Sequence, residues 1–225
     1  MIKAVFIDVD DTLLDFRACA KEAMQETMKE FGMVYEESMF PVFWQINSEL
    51  WQAIERGELT REGLWEIRWN RIFAELGIQA DGPAFETAFH DKLAVSAVEV
   101  EGAREIMAYL ASRYRVFVTT NAPHYQQVTR LTTAGMIQYV EEVFTSEKIG
   151  ASKPSEKFFK ACFAALPDIK PEETVIIGDS LTADIRGGVA FGMKTCWFNP
   201  DGKEVPQELA IDYVVHTLAE IENWL

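Results

Sequence analysis

The stretch Ala4-Val5-Phe6-Ile7-Asp8-Val9-Asp10-Asp11-Thr12 decides the reading of this chain. Four apolar residues make a strand-length run that ends abruptly in the acids Asp8, Asp10 and Asp11. Acids crowded at a strand end are either a turn with solvated carboxylates, since Asp is common in turns, or the start of a chemical site. The rest of the chain decides between these two.

Downstream of this run the texture changes twice. Residues from about 16 to 93 carry helical spacing and almost no strand signal. Trp44, Ser48 and Trp51 fall on one face, as do Trp65, Trp69, Ile72 and Leu76. Gly57 stops one helix, Thr60 followed by Glu62 starts the next, and Gly77 with the Asp81-Gly82-Pro83 turn punctuates the end. Beyond about Val98 strands and helices alternate. Strands are expected at 116–119, 143–145, 174–177, 195–198 and 213–215, with helices at 103–112, 125–134, 155–166 and 183–191. Such alternation implies an α/β fold, a Rossmann-like doubly wound parallel sheet covered on both faces, with the loops at the strand ends gathered on one edge. The expected organisation is an α/β core of residues 1–14 plus 98–225, interrupted by an all-helical cap at 15–97.

The 225 residues are 48% hydrophobic and 25% charged, as expected for a globular protein with a sizeable core. A net charge of -15 lacks the basic stripe that a nucleic-acid polymer or an anionic membrane requires. The N-terminus does not read as a secretory signal, because acids interrupt it early. Cys19, Cys162 and Cys196 have no metal-ligand spacing and read as small core residues in a reducing compartment, so a cytoplasmic location is expected. An acidic protein that handles a phosphorylated metabolite must supply positive charge locally.

Four strand ends carry the chemistry. At the first, Asp8 can attack phosphorus as a carboxylate nucleophile, and Asp10 can serve as general acid and base. At the second, Thr119-Thr120-Asn121 offers hydroxyl and backbone N–H groups for a phosphoryl oxygen, and the N-terminus of the helix after Pro123 favours anions. Caps alone would also explain Thr and Asn there. At the third, Lys153-Pro154 supplies the cation, although a lone lysine is also an ordinary surface residue. At the fourth, Val175-Ile176-Ile177-Gly178-Asp179-Ser180 leads on to Asp184. Gly178 permits close backbone approach. Asp8, the backbone carbonyl of Asp10 and Asp179 suit Mg²⁺, with Asp184 ordering waters or Lys153 from behind. Separately each has a bland explanation. In chain order, acid, hydroxyl, amine and acid at one sheet edge do not share one.

These residues resemble the motifs of the haloacid dehalogenase superfamily over essentially the whole chain: Asp8-x-Asp10-x-Thr12, Thr120-Asn121, Lys153-Pro154, and Gly178-Asp179-Ser180 through Asp184. The resemblance implies Asp8 as nucleophile, Asp10 as acid/base, Thr120 and Lys153 as phosphate ligands, and Asp8, Asp10 and Asp179 around Mg²⁺. The helical insertion resembles the C1-type cap of subfamily I. Within the superfamily, Ile46-Asn47-x-x-Leu50-Trp51, the stretch Glu55-x-Gly57-x-Leu59-Thr60-Arg61-Glu62 with Arg68, Ser146-Glu147 and Gly150-x-x-Lys153-Pro154 resemble the pyrimidine 5′-nucleotidase branch. A phosphomonoester hydrolase acting on small nucleoside monophosphates is therefore expected. A sugar-phosphate phosphomutase and a non-catalytic phosphate-binding module are the alternatives. Arg56, Arg61 and Asn47 are the expected specificity residues of the cap. Its tryptophans read as packing residues more than as stacking platforms.

Overall fold

The computed structural model describes residues 1–225. The chain separates into two compact units, Met1–Phe16 with Ala97–Leu225, and Arg17–Ser96. The helices in chain order are α1 (Phe16–Glu30), α2 (Met39–Glu55), α3 (Arg61–Leu76) and α4 (Gly82–Leu93), which account for most of the second unit. They are followed by α5 (Ala103–Ala111), α6 (His124–Thr133), α7 (Ser146–Ile149), α8 (Glu156–Ala164) and α9 (Arg186–Phe191). No helix is long and apolar enough to cross a membrane.

The first unit is built on six strands: β1 (Ala4–Ile7), β2 (Arg115–Thr120), β3 (Glu142–Thr145), β4 (Thr174–Gly178), β5 (Lys194–Phe198) and β6 (Tyr213–Val215). All pairings are parallel, in the order β3-β2-β1-β4-β5-β6. This is the expected doubly wound sheet. β1 lies between β2 and β4, with Ile7 level with both Val118 and Ile177. The winding direction reverses between β1 and β4, and ligands bind outside the carboxyl ends of strands at such a point.

The unbroken apolar character of β1 follows from burial on both faces. Successive side chains alternate. Val5 and Ile7 join Val116, Val118, Val175 and Ile177 beneath Ile106, Met107 and Leu110 of α5. Ala4 and Phe6 face the other way, toward Phe117, Phe144, Phe158, Phe159 and Cys162. Phe6 is fully buried, with its ring 5.4 Å from Phe117 and 5.3 Å from Phe163. Truncating such a ring to Ala costs about 3–5 kcal/mol.

One expected helix differs. A π-helical turn at Leu181–Ile185 precedes α9, instead of a single helix from 183. Ser180 caps the turn by accepting from the Ala183 N–H at 3.1 Å. The Asp184 carboxylate returns to accept from the Ser180 N–H at 3.2 Å, which draws residue 184 back toward the end of β4. Extra-wide turns of this kind recur at functional sites.

In the second unit α3 packs against both α2 and α4. Thr60 caps α3 by accepting from the Gly63 N–H, and Asp81 caps α4 by accepting from the Ala84 N–H. The buried face of α2 is Phe40, Phe43, Ile46, Asn47, Leu50 and Ile54, so the Trp44–Ser48–Trp51 face is only half-buried. Trp69 is the fully buried tryptophan here, 4.3 Å from the Phe85 ring and 5.2 Å from Phe89. A buried polar knot crosses this core. Arg68 Nε donates to Glu86 at 3.0 Å and Nη1 donates to Asn47 Oδ1 at 2.8 Å, while Nη2 pairs with the other Glu86 oxygen.

Candidate active site

The loop after β1 is a tight structure dictated by few residues. The Val9 carbonyl accepts from both Leu13 and Leu14, at 2.8 and 2.9 Å. Asp11 sits at φ 59°, in the left-handed region that Asp tolerates better than most side chains. The Asp8 N–H donates to the Ile177 carbonyl at 2.9 Å, which places Asp8 level with the end of β4. Thr12, fully buried, accepts from the Asp179 N–H at 3.1 Å. Trp197 Nε1 holds the other side of that residue by donating to its carbonyl at 2.8 Å. The first and fourth motif loops are thus joined directly.

Lys153 is the centre of the cluster, and it is 2% exposed. An ammonium has three donors and no acceptor. All three are used: Asp8 Oδ1 at 2.7 Å, Asp184 Oδ1 at 2.6 Å and the Thr119 carbonyl at 2.7 Å. Burial disfavours the charge, but Asp184 and Asp8 more than offset it and hold the amine above its ordinary range. The backbone of Lys153 is held as well. The Lys153 N–H donates to Asn121 Oδ1 at 2.8 Å, and Asn121 Nδ2 donates to the Lys153 carbonyl at 3.1 Å.

Three carboxylates, Asp8, Asp179 and Asp184, bring ligand oxygens within 4.8 Å of one another. Lys153 neutralises only one charge. Burial pushes Asp8 up to about 8 against the pull of Lys153, and Asp184 and Asp10 add to the rise. Burial and the neighbouring charges of Asp8, Asp184 and Asp11 also raise Asp179 well above the carboxylate range. A hard divalent cation fits such a set of oxygens with uncompensated negative charge. Both Asp184 oxygens are already engaged, by Lys153 and by the Ser180 N–H. Asp8 Oδ2 and the Asp179 carboxylate are less encumbered, which favours them as ligands with Asp184 behind Lys153.

Thr120 is buried at the end of β2, and its hydroxyl oxygen accepts from the Ala122 N–H at 3.1 Å. Asn121 lies in the cluster, with its amide engaged by the Lys153 backbone. At the N-terminus of α6 the His124 N–H donates to Glu147 Oε2 at 2.8 Å. Two residues outside the motifs enter the site from the same helix. Gln127 Nε2 donates to Asp10 Oδ2 at 2.5 Å, and Arg130 pairs with Asp10 Oδ1. Both are completely buried. The signal for them is a Gln and an Arg three apart on the face of α6 that also carries the core residue Leu131.

The structure thus gathers Asp8, Asp10, Thr120, Asn121, Lys153, Asp179 and Asp184 in the α/β unit. Asn47, Arg56 and Arg61 lie in the helical unit. Asn47 is buried and its acceptor is taken by Arg68. Arg56 is exposed and pairs with Glu58 at 2.7 Å. Arg61 lies 5.1 Å over the Trp65 ring and 3.5 Å from Glu62.

Residues 2–192 match the family of haloacid dehalogenase-like hydrolases. The chain is 33% identical to the HAD-hydrolase YfnB of Bacillus subtilis, covering 99% of this chain and 95% of that protein. It is 30% identical to the pyrimidine 5′-nucleotidase PynA of Streptococcus pneumoniae, covering 99% and 94%. A glyceraldehyde 3-phosphate phosphatase of Pyrococcus furiosus is 29% identical, covering 98% and 91%. The crystal structure of YfnB bound to magnesium superposes with a TM-score of 0.94 at 32% identity, covering 100% of this chain and 98% of that one.

Proposed function

This chain belongs to the haloacid dehalogenase-like hydrolase family, and we propose that it is a Mg²⁺-dependent phosphomonoester hydrolase that works through an aspartyl phosphate. The observation that carries this reading is the buried Lys153 joining Asp8 to Asp184, with Asp179 alongside. Phosphate binding alone requires no carboxylate nucleophile in the cluster.

In the first half-reaction an Asp8 oxygen attacks phosphorus, the P–O bond to the leaving group breaks, and Asp10 gives its proton to the departing oxygen. In the second, Asp10 takes a proton from water, whose oxygen attacks the same phosphorus and releases Asp8 as carboxylate. Asp8, Asp179 and the carbonyl of Asp10 would hold Mg²⁺, which would supply positive charge to offset carboxylate–phosphate repulsion. Lys153 stays protonated throughout and stabilises the charge on the transferring group. In the same reading the Thr120 hydroxyl donates to a phosphoryl oxygen.

The substrate is proposed to be a small pyrimidine nucleoside monophosphate. The 30% identity to PynA over nearly the full length supports this, together with the stretches around Asn47, Gly57–Glu62 and Ser146-Glu147. In the same reading the helical unit is the cap that selects the substrate. A phosphate-release screen over nucleotides and sugar phosphates, with and without Mg²⁺, tests all of this. Metal-dependent release from UMP and CMP is expected. Release from sugar phosphates alone would overturn the substrate assignment.

A further inference from the structure

Asp10 is held in an unusual way. Its side chain is 26% exposed, yet each of its oxygens is taken by a completely buried donor. Arg130 takes Oδ1, and Gln127 Nε2 takes Oδ2 at 2.5 Å. A guanidinium with no exposed surface is costly in an α/β core unless it is paired, and a well-packed apolar residue is often no worse for stability. Packing therefore does not explain a Gln and an Arg on the inner face of α6 beside Leu131. The geometry does. Positions 127 and 130 are i and i+3, so one rigid helix presents both donors to opposite oxygens of one carboxylate. This fixes the side-chain torsions of Asp10, whose loop is already fixed by the hydrogen bonds to the Val9 carbonyl.

We infer that Gln127 and Arg130 are the positioning residues that aim the Asp10 carboxylate for proton transfer. This rests on the acid/base reading of Asp10 proposed above. Each oxygen keeps a second lone-pair site for the transferred proton. Removing either donor frees the carboxylate to swing, so the loss appears wherever proton delivery limits the rate.

The test compares kcat/KM on two aryl esters, which reports the first half-reaction only. The leaving oxygen of p-nitrophenyl phosphate departs readily without a proton, whereas the more basic one of phenyl phosphate needs it. Gln127→Leu, Arg130→Met and Arg130→Lys are compared with Asp10→Asn. Gln127→Leu removes one hydrogen bond with little change of volume and keeps the test usable if Arg130→Met does not fold. Gln127→Leu should lose about tenfold more on phenyl phosphate than on p-nitrophenyl phosphate, part of the ~10²–10⁴ typical of general acid catalysis. Arg130→Lys should recover part of what Arg130→Met loses. If Asp10→Asn shows the selective loss but Gln127→Leu loses equally on both esters, or on neither, the positioning role is overturned. If Asp10→Asn itself shows no selectivity, the acid/base reading fails instead.

Discussion

The carboxylate of Asp184 occupies the space that a Cβ on residue 178 would fill. Glycine at 178 is therefore required by another protein residue, whatever approaches the site from solvent. Asp184 is fully buried, and the same carboxylate holds Lys153 at 2.6 Å. Gly178→Ala should displace Asp184, loosen Lys153 and lower kcat by about 10² or more, as a misplacement near 1 Å does. Steady-state kinetics alongside a melting curve checks this. Unchanged kcat in a folded variant would contradict it.

Lys153→Met should abolish turnover and cost about 3–5 kcal/mol of stability, because it leaves Asp8 and Asp184 buried without their cation. Urea denaturation reads the second effect. Lys153→Arg should fail to restore activity, since a planar fork cannot reach three acceptors placed around an ammonium.

Asp8 pushed up to about 8 makes a pH-dependent claim. A carboxyl raised in the folded state binds more protons there than in the unfolded chain between its ordinary value near 4 and about 8. Stability of the metal-free protein should therefore fall as pH rises through that window. Mg²⁺ competes with the proton, so its stabilising effect should grow toward pH 8. Melting temperatures at pH 5.5 and 8, with and without Mg²⁺, check both signs. A larger Mg²⁺-induced rise at pH 5.5 would contradict them.

Asn47→Ala separates packing from recognition. With its acceptor engaged by buried Arg68, its loss should destabilise the protein by about 1–3 kcal/mol. It should leave kcat/KM on p-nitrophenyl phosphate nearly unchanged. Denaturation and kinetics on the one variant decide this.

The sheet and the motif acids were legible in the sequence for a shared reason. Residues 4–7 and 175–177 are apolar on both faces because both faces are covered, and Asp8 and Asp179 follow where the strands end. Side-chain direction was not legible. Asn121 and Asn47 are the residue types that bind ligands, yet one holds the Lys153 backbone and the other accepts from Arg68. Gln127 and Arg130 lie outside every motif, and their meaning depends on Asp10, more than a hundred residues earlier in the chain. The Trp44–Ser48–Trp51 spacing is genuinely helical. Phenylalanine and aliphatic residues one position away pack deeper, because their face meets α3.

The most direct measurement is mass-spectrometric mapping of protein quenched in acid during turnover with Mg²⁺. One hydroxylamine-sensitive phosphoryl group on Asp8, absent from Asp8→Asn, is the predicted result. A phosphoryl group on another residue, or undiminished turnover by Asp8→Asn, would contradict the account.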